Sequence, residues 1–207
     1  MTPAGPVIHV VDDDVSFRTA VTRLLRAAKF EVRGYASASD FMSSDASAAP
    51  GCILLDLRMP GASGFDLQQS LAKTEERLPI VFLTGHGDIP ASVRAMKSGA
   101  VDFLTKPVRR ETLLRAIENA LERDARERKS RAIVRQLRNL YETLTARERE
   151  VLAHVVSGKL NKQIGFDLGT TERTIKAHRA SIMAKLGVQS VAELTRMAQD
   201  LGIEPIR

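Results

Sequence analysis

CILLDLRMPGASGFDL, residues 52–67, contains an apolar run ending on an aspartate, a turn rich in proline and glycine, and the start of an amphipathic stretch. Four apolar residues in succession, Cys52 to Leu55, lack the alternation of a half-exposed strand and suit one covered on both faces. The same unit recurs on either side. Upstream stand VIHVV (7–11), FRTAVTRLL (17–25) and EVRGY (31–35). Downstream stand FDLQQSLA (65–72), PIVFL (79–83), ASVRAMKSG (91–99), VDFLT (101–105) and ETLLRAIENAL (111–121). Strands alternating with helices predict an α/β fold, a parallel sheet of about five strands between layers of helices.

Bulk properties exclude several classes. The 207 residues are 43% hydrophobic and 27% charged, which is globular composition, long enough for one large domain or two smaller ones. No apolar run approaches the ~20 residues that span a bilayer. Met1 to Pro6 has neither the basic nor the apolar region of a secretion signal, so no membrane partner is expected and the cytoplasm is the expected location. The single cysteine, Cys52, has no partner for an internal disulfide and sits beside Ile53, Leu54 and Leu55, a packing position.

Charge divides along the chain. Residues 1–121 hold 14 basic and 14 acidic side chains, whereas residues 122–207 hold 17 Lys or Arg against 11 Asp or Glu. The basic half suits a polyanionic partner. Much of its excess lies in residues 122–138, with 7 basic and 3 acidic side chains, so the argument for nucleic acid must rest on pattern. From Glu111 a helical pattern continues through ERDARERKSRAIVRQLRNLYETL, with Ile117, Leu121, Ile133, Leu137 and Leu140 at helical spacing. Its charged middle predicts an exposed helical linker over 122–138. Pairing of Ile133, Leu137 and Leu140 with a second protomer has too few heptads to be favoured. The polar stretch Ser43 to Pro50 reads as a connection.

In an open parallel sheet, ligands bind beyond the carboxyl ends of the strands, so the residues that follow each apolar run carry the chemistry. Asp12 and Asp13 follow VIHVV, Asp56 follows CILL, Thr84 follows PIVFL, and Lys106 follows VDFLT and precedes Pro107. Clustered carboxylates repel unless protonated or bridged by a cation, and oxygen ligands suit Mg²⁺, with Mn²⁺ as a substitute. A metal held by Asp12 and Asp13 would neutralise an incoming phosphoryl group while Asp56 attacks it. Lys106 would stabilise the remaining oxygens, and Thr84 would hydrogen-bond the product. Singly, each residue has a simpler reading: a helix cap at Asp12 to Asp14, a turn at Asp56, a loop hydroxyl, a surface lysine. Together, in this order on a βα scaffold, they do not.

Over about residues 6–121 the sequence resembles the receiver domain of two-component response regulators, through VVDDD, DLRMPGASGFDL, FLTGHGD and GAVDFLTKP. The resemblance implies a flavodoxin-like fold, with Asp12, Asp13, Asp56 and the backbone carbonyl of Arg58 around Mg²⁺. It implies that Asp56 accepts phosphate, that Thr84 moves toward it, and that Phe103 swings inward in response. The face around Ala91 to Lys97 and Val101 to Leu104 would then dimerise. The resemblance also implies a cis Lys106–Pro107 bond; a cis X-Pro in a tight turn would aim the ammonium into the pocket.

The C-terminal stretch, LTAREREVLAHVVSGKLNKQIGFDLGTTERTIKAHRASIMAKLGVQSVAELTRMA, divides into four helical segments at Gly158, Gly169-Thr170-Thr171 and Gly187. Thr145 with Glu148 forms a capping box. Asn161 to Leu168 is a short helix, and Thr171 caps a longer one from Glu172 to about Leu186. That is the spacing of a helix-turn-helix. Ile175, Ile182 and Leu186 face inward, leaving Arg173, Lys176, Ala177, Arg179 and Ala180 toward a groove; Lys176 and Arg179 can read guanine or hold phosphate, and Ala177 offers a methyl. His178 reads equally as a packing or surface histidine and as a DNA contact; His9, His86 and His154 read as packing or surface histidines.

Residues 139–205 resemble the LuxR-type output domain, a resemblance that places the whole chain in the NarL/FixJ subfamily of response regulators. The motif would span 161–180. The expected DNA-facing set is Asn161, Lys162, Thr171, Arg173, Thr174, Lys176, Ala177, His178, Arg179 and Lys185. Ala180 stands where some relatives carry Lys, which leaves open whether Arg179 reads a base or holds a phosphate. The function expected is a transcriptional regulator phosphorylated on Asp56 by a sensor histidine kinase, dimerising and binding paired promoter half-sites, with RNA polymerase as a further partner. Two rivals are a DNA binder whose receiver works without phosphate, and an aspartyl-phosphate phosphatase. The second usually needs a general acid near the nucleophile, and Arg58 stands two residues beyond Asp56.

Overall fold

The computed structural model describes residues 5–44, 49–74, 77–85 and 89–203. His86, the centre of the Ser43–Pro50 connection and the last residues of the expected output domain lie outside them. The chain forms two compact units, Met1–Glu127 and Arg128–Arg207.

In the first unit β1 (Val7–Val11), α1 (Val15–Ala27), β2 (Glu31–Tyr35), α2 (Ala38–Met42), β3 (Gly51–Leu55), α3 (Gly64–Leu71), β4 (Ile80–Thr84), α4 (Ile89–Lys97) and β5 (Asp102–Thr105) alternate as the sequence predicts, except that the short α2 has no counterpart among the amphipathic stretches read from the sequence. A long helix, α5 (Arg110–Glu142), follows. The five strands are parallel in the order β2-β1-β3-β4-β5, the flavodoxin-like arrangement. β1, β3 and β4 are buried along their whole length, which explains their unbroken apolar runs. Alternate side chains enter opposite layers: Ile53, Leu55 and Phe82 pack with Leu67 and Leu71 of α3, while Leu54, Val81 and Leu83 pack with Leu25 of α1 and Leu113 and Ile117 of α5.

Register sets the rim. Val11 pairs with Leu55, Leu55 with Phe82, and Thr84 with Thr105. The residues that close these strands therefore emerge side by side.

The expected bounds of the helical linker, 122–138, move at both ends. Asp124 is only 1% exposed and accepts a hydrogen bond from the Gly51 amide at 2.9 Å, so the first unit extends into the segment expected to be solvated linker. A carboxylate there satisfies a buried N–H at the start of β3. At the other end Leu137 and Leu140 pack against the core of the second unit, while Ile133 is 49% exposed.

The second unit contains the last turns of α5, then α6 (Ala146–Val156), α7 (Asn161–Asp167), α8 (Glu172–Leu186) and α9 (Val191–Asp200). Val151, Leu152, Ile164, Ile175, Ile182, Leu186 and Leu194 form its core. Thr145 and Glu148 form the expected capping box, and Thr171 caps α8 by accepting from the Thr174 amide. Among the described residues no helix is long and apolar enough to cross a membrane.

Candidate functional site

Asp12 and Asp13 follow β1, Asp56 follows β3, Thr84 ends β4 and Lys106 follows β5. The rim brings the three carboxylates together: one oxygen from each lies within 4.8 Å of the others. Asp12 and Asp56 are buried and Asp13 is exposed, so the cluster faces solvent on one side. Lys106 Nζ lies 2.6 Å from Asp12 Oδ2 and 2.9 Å from Asp56 Oδ2. Further donors hold the two buried carboxylates: the Asp14 amide reaches Asp12 Oδ1 at 3.0 Å, and the Arg58 amide reaches Asp56 Oδ1 at 3.2 Å. The Arg58 side chain itself is exposed.

Local sequence explains the placement. Asp14 is the N-cap of α1, accepting from the Ser16 and Phe17 amides, and so turns the chain immediately after the acidic pair. Beyond Asp56 the turn must pass very close to α3. A Cβ on Gly64 would lie 2.4 Å from the Asp56 carbonyl oxygen, so only glycine fits there. Thr84 is 1% exposed, and its carbonyl accepts from the Lys106 amide at 2.8 Å. Phe103 is half-buried against Phe82, with ring centroids 6.0 Å apart. The Lys106–Pro107 peptide is cis, as expected.

Among the described residues, three carboxylates gather around the Lys106 ammonium and leave an excess of negative charge. Burial lifts the Asp12 carboxyl above the ordinary carboxylate range; the hydrogen bond and charge of Lys106 and the Asp14 amide oppose the lift, and the Asp56 charge adds to it. Burial pulls the Lys106 ammonium down, but its hydrogen bonds and charge contacts with Asp12 and Asp56 outweigh that and hold it above an ordinary lysine. Both shifts move the pocket toward less negative charge. An all-oxygen donor set with residual negative charge fits a hard divalent cation, with Asp12, Asp13 and Asp56 as the side chains that can hold it.

Two neighbours of this pocket carry no signal in the sequence. The Phe17 ring centroid lies 3.9 Å from Lys106 Nζ, and an Arg18 guanidinium N–H donates to the Asp12 carbonyl. Both belong to a stretch that reads only as an amphipathic helix.

In the second unit, α7, the Gly169-Thr170-Thr171 turn and α8 form the helix-turn-helix. Ile175 and Ile182 are fully buried, and Leu186 nearly so. Lys162, Thr171, Arg173, Lys176 and Ala177 are exposed; Asn161, Thr174, His178 and Arg179 are half-buried. Lys176 pairs with Glu172 one turn back at 2.9 Å. Arg179 donates to Asn161 Oδ1 at 2.6 Å, which ties α8 to the start of α7.

Lys185 is placed differently from its expected role at DNA. Its ammonium lies 2.7 Å from Glu148 Oε2, and Ser181 donates to Glu148 Oε1 at 2.6 Å. Lys185, Ser181 and the Thr145 amide together hold the Glu148 carboxyl down at about 2. The lysine is committed to this internal cluster because Glu148 is only 4% exposed and needs a counter-charge.

Comparison with known proteins agrees with both halves. The family model of the response regulator receiver domain matches residues 8–118, and that of the bacterial regulatory proteins of the luxR family matches residues 142–198. Nodulation protein W of Bradyrhizobium diazoefficiens is 45% identical over 197 residues, which cover 95% of this chain and 87% of that protein. The transcriptional regulatory protein FixJ of Rhizobium meliloti is 38% identical, covering 96% of this chain and 97% of its own length. Among solved structures, response regulator StyR matches with a TM-score of 0.80 at 46% identity, covering 95% of this chain and 99% of StyR. Full-length FixJ from B. japonicum matches with a TM-score of 0.58 at 36% identity, covering 97% of this chain and 98% of that one. The chain therefore belongs to the two-component response regulators, in the NarL/FixJ subfamily that joins a receiver to a LuxR-type output domain. It is a DNA-binding transcriptional regulator, and its partners are DNA and a sensor kinase.

Proposed function

We propose that Asp56 accepts a phosphoryl group from a sensor histidine kinase in a Mg²⁺-dependent step, and that the phosphorylated chain dimerises and binds paired promoter half-sites in the cytoplasm, where it engages RNA polymerase. The observation that carries this reading is Lys106 Nζ within 2.9 Å of both Asp12 and Asp56, beside Asp13. Bound at Asp12, Asp13, Asp56 and the Arg58 carbonyl, the metal would offset phosphoryl charge during transfer. An Asp56 oxygen forms the bond to phosphorus as the bond from phosphorus to the donor nitrogen breaks, and that nitrogen keeps the electron pair. Lys106 holds the oxygens that face away from the carboxylates, and the Thr84 hydroxyl bonds the product phosphoryl group. Movement of Thr84 and Phe103 passes the change to α4 and β5, which present Val93 and Met96 at 45% and 46% exposure for a second copy to cover.

The test is intact-mass measurement after incubation with acetyl phosphate and Mg²⁺. The wild-type chain is expected to gain one phosphoryl group, and Asp56→Asn to gain none. Equal modification of Asp56→Asn would remove the assignment. DNA affinity should rise with phosphodonor; unchanged affinity would favour a phosphate-independent receiver, and sustained phosphate release from a phosphomonoester would revive the phosphatase.

A further inference from the structure

Among the described residues Lys106 is held by Asp12, Asp56 and Phe17, and the last is not an ion. Besides Asp12 Oδ2 and Asp56 Oδ2, its Nζ lies over the Phe17 ring at 3.9 Å from the centroid, well inside cation–π range. The ring is fixed in place. Phe17 is the third residue of α1, its amide donates to the Asp14 cap at 3.1 Å, and it packs half-buried against the sheet face that contains Leu54 and Leu83.

The ionic and aromatic neighbours differ in what happens when ligands arrive. A cation and a phosphoryl group at Asp56 would compete with Lys106 for the Asp12 and Asp56 oxygens, and the ammonium would then turn donors from these carboxylates to phosphoryl oxygens. A lysine has three donors on a flexible stem of four carbons, and an ammonium released from two carboxylates is otherwise free to move into water. The aromatic face attracts the cation without accepting any of its N–H bonds in line. It also does not compete for the metal.

We propose that Phe17 is a positioning residue for phosphoryl transfer: its ring keeps the Lys106 ammonium at the rim while the ammonium exchanges carboxylate oxygens for phosphoryl oxygens. The inference rests on Asp56 as the phosphoacceptor. Lys106 stays protonated throughout; the bond made is Asp56 oxygen to phosphorus, and the bond broken is phosphorus to the donor atom, which leaves with the electron pair.

The test separates ring electronics from ring shape. Fluorinated phenylalanines at position 17 keep the shape and progressively weaken the negative face of the ring. With acetyl phosphate and Mg²⁺, followed by intact mass, the phosphorylation rate constant is expected to fall stepwise, by about fivefold at pentafluorophenylalanine, from the size of a partly exposed cation–π contact. Phe17→Leu should slow as much. Thermal midpoints report whether each variant is folded. Independently, in the metal-free chain the Lys106 ε-methylene protons should be shifted upfield by the ring current, and Phe17→Leu should remove that shift. A flat rate across the fluorinated series, or no ring-current shift in the wild type, overturns the proposal. If the wild-type chain itself gains no phosphate, the Asp56 reading fails and the positioning role falls with it.

Discussion

At the receiver rim, charges of both signs are pressed into contact: Asp12 and Asp56 are 3% and 8% exposed and share one ammonium. On α8 they stand apart. Arg173 and Lys176 are exposed, and Lys176 pairs with the exposed Glu172 one turn back. The difference follows from what each region has to do before its ligand arrives. Buried carboxylates must be compensated within the fold, so the rim draws on strands far apart in sequence. A face for a polyanion receives its counter-charge from the partner, so a few neighbouring turns of one helix suffice.

If the rim is an interdependent cluster, removing the Lys106 ammonium should have the largest effect on the molecule. Lys106→Ala is expected to slow phosphorylation about 100-fold, the scale for losing one group that stabilises transition-state charge. A time course by intact mass measures it. The unphosphorylated variant should bind DNA as the wild type does; a matching loss of DNA affinity would show that the two regions are not separable. Lys176→Ala is the converse experiment. DNA affinity is expected to fall by about 1–3 kcal/mol if the lysine reads a base, or by a uniform amount with the salt slope reduced by about 1 if it holds a phosphate. Stability should change by less than about 0.5 kcal/mol because Glu172, with which it pairs, is itself exposed, and phosphorylation should be unaffected.

The same contrast explains which parts of the structure were legible in the sequence. Rim residues follow apolar runs, so once the runs read as parallel strands, Asp12, Asp56, Thr84 and Lys106 had to meet. Hydrophobic period and cap residues also located β2 at Glu31–Tyr35, despite its charged and glycine positions, and the start of α8 behind Thr171. What periodicity does not report is the partner of an individual polar group. Asp124 sits in a run of charges that reads as solvated, and only the fold shows that the Gly51 amide needs its carboxylate. Lys185 looks like one more basic residue on α8 until Glu148 is found beneath it. Phe17 has the spacing of a packing residue and does pack; its second role depends on a lysine 89 positions away in sequence.

Glu148 brings the rim's rule of internal compensation into the second unit, and pH is the way to isolate it. Its folded pKa of about 2 lies below the ordinary value of 4.5, so the stability it contributes is present in full above about 4.5 and is lost as the pH falls through about 2. Glu148→Gln is expected to cost about 1–2 kcal/mol near neutrality through its weakened hydrogen bonds to Lys185 and Ser181. The gap between variant and wild type should narrow between about pH 5 and pH 2. Urea unfolding followed through amide signals of α6 and α8 measures it. A gap independent of pH would mean that packing, not charge, holds the cluster.

The smallest effect expected is also the one that probes where compensation inside the fold ends and the partner's begins. Thr171 lies at that border: its hydroxyl accepts from the Thr174 amide at 3.2 Å, and it is exposed at the entry to α8. Thr171→Ala should cost about 1 kcal/mol of stability, the usual value of an N-cap. That loss alone cannot separate capping from a DNA contact, since a frayed α8 also presents its side chains poorly. Thr171→Asp can. Aspartate caps as well as threonine and favours the positive end of the helix, so stability should be kept or slightly raised. The added negative charge would face phosphate, so DNA affinity should fall, and fall most at low salt where repulsion is least screened. If Thr171→Asp binds DNA as the wild type does at every salt concentration, the start of α8 does not approach the phosphate backbone and the hydroxyl serves the helix alone.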